Sequence, residues 1–201
     1  MKTIILCLAI VVTTLAACNS DGNKTQDEMQ TEKQTDSLSS VNEPKASDQV
    51  ASKPINTFPE NEIVAEYLKL KNALANDNGK DAATAGNALV SVLAKVDTLS
   101  LTGSQQKLYA DLKDDLKENA EHIGANADKI DHQREHFEML SKDIADLVKT
   151  FGNGGQTLYK DFCPMANDGK GASWISEVKE IKNPYMGKKM ATCGSVKETY
   201  Q

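Results

Sequence analysis

Aromatic residues make up only 5% of this 201-residue chain, with a single tryptophan and five prolines. So small a supply of rings argues against an extensive sheet, and Ala, Leu, Lys, Asp and Glu dominate as far as Phe151, which is the composition of packed helices. No basic stripe is present, and the formal net charge is −6, so nothing here would track a phosphate backbone and nucleic acid is not an expected partner. Nor does the sequence show a glycine-rich phosphate loop or a nucleophile with an evident general base, so no enzymatic activity is expected. The one uninterrupted apolar run, Ile4 to Val12, is shorter than the roughly 20 residues that a membrane-spanning helix needs.

What is present starts at the amino terminus. Lys2, the apolar run and Leu15-Ala16-Ala17-Cys18 together read as a signal peptide over residues 1–17, with small residues before its cleavage point. Leu-Ala-Ala-Cys resembles the bacterial lipobox, which implies lipid on Cys18 and a protein held at a membrane of the cell envelope, facing the periplasm. Residues 18–59 are rich in Ser, Thr, Asn, Gln, Asp, Glu and Lys, with Pro44, Pro54 and Pro59. Such a segment cannot bury enough surface to offset its ordering entropy and reads as a disordered tether.

Residues 60–201 read as one mainly α domain, an up-and-down four-helix bundle with a small hairpin or loop extension packed on it. Ile63, Tyr67, Leu70 and Leu74 share one face of a first helix, about Asn61 to Asn76. Ala82, Ala85, Leu89, Val92, Leu93 and Val96 mark a second, about Lys80 to Val96. After Thr102-Gly103-Ser104, a third helix carries Leu108, Leu112, Leu116 and Ile123. The fourth carries Ile130, Phe137, Leu140, Ile144, Leu147, Val148 and Phe151, and Gly152-Asn153-Gly154-Gly155 stops it. Beyond that, Leu158 to Phe162 and Ala172 to Val178 flank the turn signal Asn167-Asp168-Gly169-Lys170-Gly171 and read as a hairpin, with Phe162 and Trp174 as its anchors.

Metal chemistry is concentrated in two places. On the fourth helix, His132, His136, Met139 and Asp143 form a stripe along the edge of the apolar face, and His122 of the third helix can approach the same edge. His132-Gln133-Arg134-Glu135-His136 also matches the H-x-x-E-H pattern of inverted zinc proteases. Little sequence remains after it to supply a third ligand and a cleft, and Glu135 points away from the bisector of the two imidazoles. In the tail, Cys163-Pro164-Met165 and Met190-Ala191-Thr192-Cys193 each set a cysteine beside a methionine. Thiolate and thioether are soft ligands that favour Cu(I). Cys7 leaves with the signal and Cys18 becomes the anchor, so Cys163 and Cys193 are the two thiols that remain. In an oxidising compartment a disulfide between them is the alternative expectation.

Gln133-Arg134-Glu135-His136-Phe137, Leu140-Ser141, Cys163-Pro164-Met165, Trp174-Ile175, Ile181-Lys182-Asn183-Pro184-Tyr185 and Met190-Ala191-Thr192-Cys193-Gly194 together resemble an uncharacterised periplasmic domain family. Its members occur as small lipoproteins and as a C-terminal appendage of CusB-type heavy-metal efflux adaptors. The resemblance, over about Ile63 to Glu198, implies a helical bundle and a link to copper or silver resistance. By position it nominates His122, His136, Cys163, Met165, Met190 and Cys193, whereas His132 and Met139 rest on helix geometry alone. The resulting expectation is a lipid-anchored protein that takes Cu(I) or Ag(I) into one pocket and stores it or passes it to a heavy-metal efflux adaptor or another envelope protein. The alternative is a structural or interaction module stapled by a Cys163–Cys193 disulfide.

Overall fold

The computed structural model describes residues 58–201. The signal peptide, Cys18 and nearly all of the tether lie outside the described residues. Four helices are followed by a three-stranded antiparallel sheet: α1 (Glu60–Ala75), α2 (Gly79–Leu93), α3 (Gly103–Ala125), α4 (Ile130–Phe151), β1 (Leu158–Cys163), β2 (Ala172–Ser176) and β3 (Ser195–Tyr200). No described helix is long and apolar enough to cross a membrane.

Local chemistry marks the helix ends. The Asn78 side chain accepts from the Asp81 N–H at the start of α2 (3.2 Å), and the Thr102 N–H donates to Gln105 Oε1 at the start of α3 (3.0 Å). Each satisfies a backbone donor or polar group that a helix terminus would otherwise leave open. At the far end of α4, Gly152 takes φ +103°, a conformation that side chains disfavour.

Successive helices pack side by side, α1 on α2, α2 on α3 and α3 on α4, and α1 also meets α4. The 3.6-residue apolar faces supply the core: Ile63, Tyr67, Leu70, Leu74, Leu89, Leu116, Ile123, Phe137, Leu140, Ile144 and Leu147 are all fully buried. Phe58, which the composition groups with the preceding segment, packs here too, stacked on Phe151 with ring centroids 3.9 Å apart. α2 and α3 approach closely at Gly86, where a Cβ would stand 2.9 Å from the Ala120 carbonyl oxygen.

The sheet has the order β2-β1-β3. The expected hairpin is therefore one strand short: β1 pairs with β2 as anticipated, but its other edge is occupied by β3. β3 escapes a sequence reading because Ser-Val-Lys-Glu-Thr-Tyr buries no residue fully, so no apolar alternation announces it. The sheet rests on α4 and α1 through β2. Trp174 is fully buried and meets Tyr185 edge-on, with ring centroids 5.9 Å apart.

Two polar junctions lock sheet to helices. The buried Tyr67 hydroxyl accepts from the Ile175 N–H of β2 (3.1 Å) and shares a second hydrogen bond with Ser141 Oγ of α4 (2.8 Å). Lys71, fully buried on α1, reaches Glu177 Oε2 just beyond β2 (2.8 Å), and Asn72 Nδ2 donates to the other oxygen of that carboxylate (2.8 Å). Leaving such a group without its partner costs about 1–3 kcal/mol.

A third buried polar group is less well served. Asp161 of β1 is fully buried, and neither carboxylate oxygen has a hydrogen-bond partner. Burial pushes its pKa up to about 6, against the pull of the Lys71 ammonium.

Two outcomes follow. A carboxyl group whose pKa is raised by folding holds its proton more tightly in the folded than in the unfolded state, so its presence costs stability as pH rises from about 4 to about 6. Asp161→Asn cannot ionise, and its advantage over the wild type in thermal unfolding is expected to grow across that interval, by about 2 kcal/mol. Gly86→Ala should destabilise despite the better helix propensity of alanine, because about 1 kcal/mol of propensity is outweighed by an overpacking cost of about 1–3 kcal/mol. Denaturant unfolding checks the sign.

Candidate metal centre

The centre lies on the seam between α3 and α4. His132 and His136 stand one turn apart on α4, and His122 projects from the last turn of α3. One ring nitrogen from each of the three falls within 4.8 Å of the others. The His122 and His136 rings are stacked with centroids 4.2 Å apart, and His132 meets His136 edge-on at 4.6 Å. His122 is exposed, while the other two are half-buried. Imidazole nitrogens bind a zinc-sized ion at about 2.0–2.1 Å, so an ion shared by all three would draw them closer together than they stand here.

The neighbours select the tautomers. Asn119 Nδ2 donates to the Asp115 carbonyl (2.9 Å), so its Oδ1 is the acceptor in the 2.9 Å contact with His136 Nδ1. The proton therefore sits on Nδ1 and the Nε2 lone pair is free. Glu135 Oε2 does the same for His132 Nδ1 (3.0 Å). A hydrogen-bonded far nitrogen is the usual support of a metal-ligating histidine. Partial burial, reinforced by the neighbouring His122 and His132, holds His136 below the usual imidazole pKa, which keeps it in the neutral form that a metal requires. Farther along the seam, burial and the charges of Asp115 and Asp146 push Asp143 up to about 6.

α4 is positioned by residues on either side of these histidines. Gln133, fully buried, donates from Nε2 to the Gly79 carbonyl (2.9 Å) and the Ile123 carbonyl (3.0 Å), tying α4 to the start of α2 and the end of α3. Arg134 donates to the Leu74 carbonyl (3.1 Å), Asp77 Oδ1 (2.6 Å) and the Pro184 carbonyl (2.9 Å). That pairing holds the Asp77 carboxyl below its ordinary pKa. Glu135, the base of the H-x-x-E-H pattern, is exposed and engaged with His132.

The cysteines are elsewhere. Cys163 and Cys193 form a disulfide, which joins the end of β1 to the segment leading into β3, and Cys163 is fully buried. A disulfide offers no thiolate to an ion. Phe137 and Ser141 turn towards Tyr67 and the sheet, whereas His136 turns towards Asn119 on α3. The nominated donors thus divide between two flanks of α4: His122 and His136 come together with His132, and the two cysteines stay with the sheet. Met190 ends a short 3-10 turn, Gly187–Met190, where its carbonyl accepts from the Cys193 N–H (3.0 Å). Met165 is exposed on the turn after β1. Asn119 was not singled out from the sequence; its signal is its place three residues before His122, on the same helix face.

A domain described as "Protein of unknown function (DUF3347)" spans residues 63–156. That span takes in α1 to α4 with all three histidines and ends before β1. No curated protein and no solved structure matches the chain.

Replacing Asn119 by Ala removes the acceptor that fixes the His136 tautomer without touching any of the three imidazoles. The expected result is a mixed Nδ1/Nε2 tautomer of His136 by nitrogen NMR.

Proposed function

We propose that this protein captures a copper ion through His122, His132 and His136 at the surface of an up-and-down bundle of its four helices, anchored to an envelope membrane through Cys18. The observation that carries the reading is the convergence of three imidazole nitrogens within 4.8 Å, two of them with their far nitrogens hydrogen-bonded. Imidazole suits copper and zinc, and copper stands at the top of the affinity order for divalent first-row metals. The compartment inferred from the lipobox is oxidising, which agrees with the disulfide and with an ion met as Cu(II). His122 is exposed, so a partner's ligand can reach the ion. Exchange of ligands one at a time is the step that passing copper to a heavy-metal efflux adaptor would need, and the resemblance of the helical and tail motifs to adaptor appendages supports that partner.

The Cys163–Cys193 disulfide supports a staple in the extension, the role set out in the alternative reading, and the two readings are compatible. The staple orders the tail while the imidazoles hold the ion.

With the disulfide intact, Cu(II) should bind at one equivalent, and His132→Ala or His136→Ala should each weaken binding by about tenfold or more. Affinity should fall on acidification, because a protonated imidazole has no lone pair to give the ion. Cys163→Ser with Cys193→Ser should leave the affinity unchanged. Absence of stoichiometric binding, or equal binding by the triple histidine-to-alanine variant, would overturn the proposal.

A further inference from the structure

Three large apolar side chains are exposed among the described residues: Leu99, Met139 at 42% and Met165 at 56%. Two of these three therefore stand at one place, a surface cleft of about 510 Å³ between α4 and the tail, and Met186 lines it as well. A methionine ordinarily fills gaps in a core; Met139 and Met165 fill none. We propose that Met139, Met165 and Met186 form a second metal site, separate from the imidazole centre and selective for a soft monovalent cation, Cu(I) or Ag(I).

The three side chains come from three separate segments, two of them tied together by the disulfide. Met139 is on α4. Met165 lies two residues beyond Cys163, whose disulfide ties the end of β1 to the Cys193 segment. Met186 is held by the buried amide of Asn183. Its own N–H donates to Asn183 Oδ1 (2.9 Å), and Asn183 Nδ2 donates to the Cys193 carbonyl (2.7 Å). The disulfide thus supplies no ligand but anchors the chain segments carrying two of the thioethers, the kind of rigid support that a preorganised site requires.

Charge points the same way. Thioethers are neutral and leave the charge of the cation uncompensated, while the carboxylates of Asp131 and Asp168 line the same cleft, with Glu138 paired to Lys142 and Glu135 to His132. Arg134, the cation there, is turned to Asp77 and to the Leu74 and Pro184 carbonyls. Soft thioethers select monovalent copper and silver over harder divalent ions. Unlike thiols, they neither form disulfides nor need deprotonation before they bind. Met139 is three residues from His136, about one turn along α4, so the two sites adjoin while differing in ligand chemistry. The thioether site stands or falls without the imidazole reading.

The test is a titration of the intact, oxidised chain, labelled at its methionine methyl carbons, with silver nitrate in chloride-free buffer. One equivalent should shift the methyl signals of Met139, Met165 and Met186 and leave that of Met190 in place. The affinity should be the same within about twofold at pH 5.5 and pH 7.5, since no ligand titrates. Met165→Leu, at an exposed position, should weaken binding by about tenfold or more, and Met139→Leu with Met165→Leu should abolish the methyl shifts, both with unchanged thermal unfolding. The triple variant His122→Ala, His132→Ala, His136→Ala should bind Ag(I) as the wild type does. Wild-type affinity in the double methionine variant, or loss of silver binding in the triple histidine variant, would overturn the proposal.

Discussion

The Tyr67 hydroxyl joins three elements distant in sequence. It receives the Ile175 N–H of β2 and is hydrogen-bonded to Ser141 of α4, deep inside the molecule. Because all of these polar groups are buried, no water can replace the partners, and the sheet is held against one flank of α4. The opposite flank is left to α3. That division decides the surroundings of each α4 side chain: Phe137 and Ser141 go to the sheet, Leu140 and Ile144 to the core, and His132 and His136 to the seam with α3.

Within Gln133-Arg134-Glu135-His136-Phe137, most residues are architectural. Gln133 ties together the ends of three helices, Arg134 closes the turn after α1 onto the tail, and Phe137 stacks on Tyr67. The histidines carry out none of this work. Three imidazoles so near one another cannot all be charged without mutual repulsion, and the depressed pKa of His136 reflects that crowding together with burial. A neutral imidazole whose far nitrogen is engaged has a free lone pair, the form in which histidine can ligate a metal.

The tail follows a parallel logic with different atoms. Its cysteines, Cys163 and Cys193, cross-link, while Met165 and Met186 border a cleft with Met139 of α4. The cross-link and the Asn183 amide hold the tail loops in place, so a segment with little regular structure is ordered by one covalent bond and a few buried polar contacts.

The four helices were legible in the sequence because a 3.6-residue repeat of Ile, Leu, Val and Phe can bury only one face, and most of the buried helical positions belong to that repeat, although on α3 it is Tyr109 that is buried while Leu108 and Leu112 are half-exposed. The edge strand β3 was not, because a strand with no fully buried face carries no apolar rhythm. Helix geometry alone put His132 and His136 on one stripe, since residues four apart must share a face. Which stripe α3 would meet, and with which residue, depended on how α4 rolls between α3 and the sheet, a choice made by contacts across more than seventy residues such as Tyr67 to Ser141. The cysteines show the same limit: spacing allows either a cross-link or a pair of ligands, and only the tertiary approach of β1 to the Cys193 segment selected the cross-link. Periodicity is a local property and can be read along the chain; the meeting of sequence-distant side chains is a property of packing, set by the buried surface of the whole domain.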